Sequence, residues 1–306
     1  MKLAMVFPGQ ASQFVGMGHD LYQAYPSVRA LYERTDQILQ ADITRLSFEG
    51  PEDELVRTEN TQPAIFALSV ALWQLLIDRG RKPFVVAGHS LGEYAALVAA
   101  GVFSYEEALP LVRLRGRLMQ EAGRRRPGAM AAVVGLAVED LTEICRQAAA
   151  SGLVQVANLN SPSQLVLSGE VPGVDRAMEL AREAGAKRVI RLPVSGAFHS
   201  PLMEYARQPL AEALQQMTMK PPQVPVVANV TAQPVEAADQ ISDLLIRQLI
   251  NPVRWFESVE RMAQMGAQSF VEVGPGKVLQ GLIRRIVPGV GISGVSNAES
   301  LEAFLN

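Results

Sequence analysis

The chain has 306 residues, 48% of them apolar, with 28 Lys and Arg against 31 Asp and Glu and a formal net charge of −3. This slightly acidic balance excludes a global electrostatic grip on nucleic acid, and a charged fraction of only 19% excludes a disordered chain. The single cysteine, Cys145, excludes an intrachain disulfide and fits a reducing compartment, so a cytoplasmic location is expected.

The length predicts one main core with a smaller insert. Leu3 to Phe7 is a short apolar run stopped by Pro8-Gly9, which reads as a first strand and not as a signal peptide. No apolar run is expected to reach bilayer-spanning length, so no membrane partner is expected. Pro26 to Leu39 and Thr61 to Ile77 have helical spacing, and Phe84 to Ala87 reads as a second strand. That strand runs into Gly88-His89-Ser90-Leu91-Gly92 and a helical stretch, Glu93 to Ala100. Ser104 starts a helix over Tyr105 to Ala122, with Glu106 and Glu107 favourably placed in its first turn.

The rhythm then changes. Ala129 to Val134, Val154 to Leu159, Gln164 to Ser168 and Arg188 to Val194 read as strands. Glu139 to Ala149 and Val174 to Ala184 read as helices between them. The order strand–helix–strand–strand–helix–strand is that of a ferredoxin-like lobe. Beyond it come a helix over Pro201 to Met217, a strand over Val224 to Asn229, and helices over Ile241 to Leu249 and Val253 to Met265. The strand Ser269 to Val273 turns through Gly274-Pro275-Gly276 into a last helix, Val278 to Ile286. The expected architecture is α/β: a hydrolase-like main domain with a mostly parallel sheet over residues 1–126 and 196–306, and an inserted ferredoxin-like α+β subdomain over 127–195.

Gly88-His89-Ser90-Leu91-Gly92 matches G-x-S-x-G at a strand-to-helix junction. Such a corner lifts the serine hydroxyl clear of the sheet and needs glycine on both flanks. It also turns the following N–H, that of Leu91, toward a developing oxyanion. A serine nucleophile needs a base, and the chain offers His19, His89 and His199. His89 is directed away by the turn, and His19 follows a glycine-rich loop. His199 lies in a strand-to-helix loop, where α/β sheets place catalytic groups, and is the best of the three.

Further segments extend the pattern. They are Phe7-Pro8-Gly9-Gln10-Ala11-Ser12-Gln13, Thr61-Gln62-Pro63-Ala64, Arg113-Leu114-Arg115-Gly116, Gly128-Ala129-Met130-Ala131-Ala132, Asn158 to Gly169, Phe198-His199, Gln248 to Val253 and Glu272 to Gly276. Together with the serine motif, and in this order, they resemble the malonyl-CoA:acyl carrier protein transacylases of bacterial fatty acid synthesis. The resemblance implies Ser90 as the nucleophile that carries the acyl group and His199 as its base. It implies backbone N–H groups of Gln10 and Leu91 as the oxyanion hole, and the backbone carbonyl of Gln248 as the group that orients the imidazole. Arg115 would bind the malonyl carboxylate through two parallel hydrogen bonds. Gln62, Asn158 and Asn160 would line the pocket, with ordinary turn hydrogen bonding as the plainer account of all three. Phe198 resembles the residue of members selective for malonyl over methylmalonyl groups. Ala11 departs from the family's glycine. The implied partners are malonyl-CoA and an acyl carrier protein, with no metal and no tightly bound cofactor. The competing readings are a free-standing malonyl acyltransferase of a polyketide synthase, a serine thioesterase or hydrolase, against which Arg115 argues, and a non-catalytic carrier-binding module, against which an intact Ser90, His199 and Arg115 argue.

Overall fold

The computed structural model describes residues 2–194 and 196–306. In β1 (Leu3–Phe7), Ala4 and Val6 alternate with Met5 and Phe7, and all four are fully buried. A strand buried on both faces must be covered on both. Its partners form a six-stranded sheet in the order β10 (Gly291–Val295), β9 (Ser269–Val273), β1, β2 (Val85–Gly88), β7 (Val226–Val227) and β8 (Pro234–Val235). All neighbours run parallel except β7 and β8. Met5, Phe7, Val86 and Val271 pack under the helices Thr58–Asp78 and Gly92–Ala99. On the other face, Ala4, Val6, Val85 and Phe270 pack against the helices Trp255–Gln264 and Val278–Ile286.

The helix Thr58–Asp78 reaches a length and apolarity that would cross a membrane, contrary to the expectation that no run does. Its apolarity has another destination: 78% of its most apolar window is buried within the protein.

The second sheet is four-stranded and antiparallel, in the order β4 (Val154–Ser161), β5 (Gln164–Glu170), β3 (Gly128–Val134) and β6 (Arg188–Arg191). The helices Val138–Ala148 and Val171–Glu183 cover one face, over Ala131, Val133, Leu165 and Leu167. Met130 and Val166, on the alternate positions, join the main core instead. The backbone of β4 is tied to the main body at Val253, which donates to Ala157 O at 2.9 Å and accepts from Leu159 N at 2.9 Å.

The expected elements are present with shifted ends, and proline explains three of the shifts. The helix expected over Pro201 to Met217 is a 3₁₀ segment, Pro201–Ala206, followed by an α-helix, Arg207–Gln215. The restart puts Pro209 in a first turn, where a missing N–H costs little. Pro225 shortens the strand expected over Val224 to Asn229 to Val226–Val227. Pro193 ends β6 at Arg191. Four short helices and two strands lie outside the expectation: His19–Ala24, Ile43–Glu49, Glu52–Leu55, Ala298–Leu305, β8 and β10. Of the expected boundaries, Met1 and Ser195 lie outside the described residues.

Candidate active site

Because the strands are parallel, the C-terminal ends of β1, β2, β7 and β9 lie on one edge of the sheet. The chain crosses from one side of β1 to the other on this edge, where open α/β sheets bind their ligands. β1 delivers Pro8 to Ser12, β2 delivers Ser90, β7 is followed by Asn229, and β9 by Gly274-Pro275-Gly276. Pro8 to Ser12, the Ser90 corner and the helix that follows β9, with the inner face of the second sheet, enclose a cleft of about 220 Å³. Gln10, Gln62, Ser90, Leu91, Arg115, Asn158, Asn160, Phe198 and His199 all line it. Of the ten residues singled out in the sequence, only Gln248 stands behind the wall.

The corner at Ser90 is as tight as the motif requires. A Cβ on Gly88 would meet Gly92 C at 1.8 Å, and one on Gly92 would meet Phe7 O at 2.1 Å. Ser90 itself has φ 52, in the left-handed region. His199 (φ 57) and Ala11 (φ 78) share that conformation beside the same cleft. Each costs on the order of 1 kcal/mol, a strain that structures retain mainly at functional sites. Ala11 thus takes up the left-handed conformation for which glycine is the usual residue.

Ser90 Oγ lies 2.8 Å from His199 Nε2. His199 Nδ1 lies 2.7 Å from Gln248 O, which can only accept, so Nδ1 carries the proton and Nε2 offers its lone pair to the hydroxyl. The His199 backbone is held in turn from the second sheet, where Gln155 Nε2 donates to His199 O at 2.8 Å. The other histidines have other partners, although His89 also lines the cleft. His89 pairs with Asn160 Oδ1 at 2.8 Å, and His19 is exposed and stacks on Phe48.

Arg115 is 1% exposed, Arg113 half-buried and Arg117 exposed, which separates the three arginines of the helix Tyr105–Arg125. The Arg115 guanidinium donates to Gln62 Oε1 at 2.8 Å, to Gln248 Oε1 at 2.8 Å and to Ser90 Oγ at 3.1 Å. Its Nε has no partner. All three acceptors are neutral, so among the described residues this buried cation has no directly bonded carboxylate. Glu93 pulls on it through space, and a ligand carboxylate would supply the directly bonded counter-ion it lacks. The backbone N–H groups of Gln10 and Leu91 donate to no acceptor among the described residues.

Two further residues complete the site. Asn229 Oδ1 accepts from Ser90 N at 2.7 Å, and Asn229 Nδ2 donates to Gly88 O at 2.6 Å, bracing both sides of the corner. Glu93 is buried and accepts from Gln248 Nε2 at 2.5 Å. Glu93 directly follows the serine motif, where adjacency alone gives no role. The signal for Asn229 is its place just after a strand neighbouring β2, which needs the strand order to be seen.

Burial, reinforced by the nearby Arg115 charge, pushes His199 down to about 3, against the pull of the Gln248 carbonyl. The imidazole is therefore neutral, and able to act as a base, well below its ordinary range near 6.5. For kcat/KM of serine acylation, which reports the free enzyme, the acid limb should lie below about pH 5. Single-turnover acylation across pH checks this, and a limb near pH 6.5 would contradict it. The depression also affects folding. The His199 contribution to stability is complete above about pH 6.5 and is lost as pH falls toward 3. Folding must therefore be followed in parallel.

A hydroxyl on a strained strand-to-helix corner, an imidazole base and a buried cation awaiting an anion together define an α/β enzyme that handles acyl groups. Residues 4–301 match the model of the acyl transferase domain family, and the chain belongs to that family. The malonyl CoA-acyl carrier protein transacylase of Bacillus subtilis strain 168 is 44% identical over 302 residues, 98% of this chain and 95% of that one. An acyl carrier protein S-malonyltransferase from Vibrio cholerae O1 biovar eltor, solved by crystallography, matches with a TM-score of 0.95 at 44% identity, covering 99% of this chain and 100% of that one. A malonyl-transacylase solved in complex with its holo type II PKS acyl-carrier protein matches with a TM-score of 0.96 at 43% identity, over 100% of this chain and 99% of that one.

Proposed function

We propose that this chain transfers a malonyl group from malonyl-CoA to the phosphopantetheine thiol of an acyl carrier protein, in fatty acid biosynthesis, through a malonyl ester of Ser90. The observation that carries the reading is Arg115, a buried cation bonded to the hydroxyl of Ser90. An acyl group held there must bring a negative charge, which a malonyl group has and an acetyl group lacks.

The chemistry follows from the geometry. His199 Nε2 takes the Ser90 proton as Oγ attacks the thioester carbonyl. The free N–H groups of Gln10 and Leu91 receive the oxyanion, and the thiolate of coenzyme A leaves with the proton that His199 returns. The carrier's thiol then attacks the ester by the reverse sequence. Phe198, packed against Gly196 and 9% exposed, fills the space that a branched acyl group would need. Gln62 holds Arg115, Asn158 walls the cleft, and Asn160 holds His89. The test compares acylation of the purified protein by malonyl-CoA and acetyl-CoA, read by intact mass. Preferential malonylation is expected, and equal use of the two would overturn the reading.

The reading includes the architecture. A hydrolase-like main domain over 1–126 and 196–306 is supported by the parallel sheet with its serine corner. A ferredoxin-like subdomain over 127–195 is supported by the antiparallel order β4-β5-β3-β6 and its two helices. The buried, unpaired Cys145 supports a cytoplasmic setting. Service to a PKS carrier is the second reading, favoured by the likeness to the PKS-associated transacylase. It changes the carrier and leaves the chemistry at Ser90 the same.

A second cleft of about 620 Å³ opens beside the first and shares Gln10, Met119, Leu192, Val194 and Phe198 with it. Arg57 and Arg124 line it, both exposed. The neighbouring Arg125 and Arg126 are already paired, with Glu121 at 2.8 Å and Glu170 at 3.0 Å. Arg191 is paired with Asp175. Arg57 and Arg124, in no ion pair among the described residues and lining this cleft, are placed to steer an acidic carrier. Reversing both to glutamate should raise the KM for the carrier roughly tenfold and flatten its salt dependence, with a smaller effect on acylation. The two half-reactions assayed across a salt series check this. An unaltered carrier KM would remove these residues from the docking surface.

A further inference from the structure

Glu93 is a buried carboxylate that the acyl-transfer steps do not use, yet its partners Gln248 and Asn229 hold Arg115, His199 and Ser90. It is 3% exposed, and its Oε2 accepts from Gln248 Nε2 at 2.5 Å and from Asn229 N at 3.4 Å. Gln248 is a two-sided residue. Its amide NH₂ also reaches Ser90 O at 3.0 Å and Asn229 Oδ1 at 3.3 Å, and its Oε1 accepts from Arg115 at 2.8 Å. Its backbone carbonyl accepts from His199 Nδ1 at 2.7 Å.

An amide can be rotated end for end at nearly equal volume, and the two orientations are opposite in consequence. With Oε1 toward Arg115, the guanidinium is held beside Ser90. With NH₂ toward Arg115, two donors face each other and the cation is pushed from its seat. A carboxylate accepts and cannot donate, so Glu93, together with the Ser90 carbonyl, admits only the first orientation. Through Asn229 it also bears on the N–H of Ser90.

We propose that Glu93 is the positioning residue of this site. It fixes the orientation of the Gln248 amide, and thereby seats Arg115 where a malonyl carboxylate must bind. The proposal rests on the malonyl reading of Arg115. Burial raises Glu93 to about 7, against the pull of Gln248, Asn229 and Arg115. The ionised form therefore enforces the orientation most strictly, because a protonated carboxyl can also donate.

Glu93→Ala should lower the malonyl-to-acetyl ratio of kcat/KM at least tenfold, with malonyl falling and acetyl changing far less. A residue that served only the fold would lower both together. Glu93→Gln keeps one accepting oxygen at the same reach but adds a donor, so it should lower the ratio by less than Glu93→Ala does. Gln248→Ala removes the amide but not the carbonyl that orients His199. In that background Glu93→Ala should cost the ratio little more, because the two act as one unit. This cycle can be run with Glu93→Asp if the alanine variant does not fold, as followed by circular dichroism. An unchanged ratio in Glu93→Ala, a glutamine variant as impaired as alanine, or additive effects with Gln248→Ala would overturn the proposal. A wild-type protein without malonyl preference would instead overturn the malonyl reading itself, so the two failures are distinguishable.

Discussion

Ser90→Ala is expected to abolish covalent acylation by malonyl-CoA while the protein stays folded. The hydroxyl is the group toward which the site is built: Oγ faces His199 Nε2 at 2.8 Å and accepts from Arg115 at 3.1 Å. Without it no ester forms, and the loss in transfer should be roughly 10⁴- to 10⁶-fold, the scale at which removal of a serine nucleophile is felt. The fold should tolerate the change. Alanine has the same branching at Cβ as serine, and the chain already holds an alanine in this backbone region at Ala11, with φ 78. The brace on the corner comes from Asn229 to the backbone of Ser90, which the substitution keeps. Intact mass after incubation with malonyl-CoA and a thermal melt check both halves. An adduct that persists on the alanine variant would place the nucleophile elsewhere.

Arg115→Ala is expected to reverse the acyl preference. The guanidinium lies in a buried site whose acceptors are all uncharged, so a malonyl carboxylate is the counter-ion it lacks. Removing one partner of a buried, hydrogen-bonded ion pair costs about 3–5 kcal/mol, or a factor of roughly 10²–10⁴ in kcat/KM for malonyl-CoA. Acetyl-CoA brings no charge to be left unpaired and should lose much less, so its relative use should rise. The acid limb of acylation should also move toward neutrality, because the like charge that helps hold His199 down is gone. Competition between the two thioesters for Ser90 checks the preference. A variant that still prefers malonyl as the wild type does would refute the clamp.

Much of this site was legible because its local physics is written in adjacent residues. Gly88 and Gly92 announce a corner with no room for a side chain, and the structure gives the clash each avoids. Ser90, His199 and Arg115 needed only residue types and a resemblance in order. Asn229 and Gln155 were not legible. Each acts through contacts at long sequence separation, Asn229 on Ser90 and Gln155 on His199, which no local pattern shows. The role of Glu93 was hidden differently: it directly follows the motif, but its partner is Gln248. In the fold, β1 and β9 were found at their observed ends because both are apolar runs with clean stops. β10, with the sequence GISGV, lies at a sheet edge and is mostly half-buried, so it has neither the run nor the alternation that marks a strand. Helix ends moved where Pro209 forced a restart, an effect that depends on where the chain must turn.

The central claim, a malonyl group held on Ser90 and passed to a carrier, is tested most directly by a chase. The protein is labelled with radioactive malonyl-CoA, freed of coenzyme A, and mixed with a holo acyl carrier protein. The account predicts that the label stays on the protein in buffer alone and moves to the carrier's thiol when the carrier is added. Release as free malonate at the same rate with and without carrier, or failure of the protein to hold any label, would contradict it.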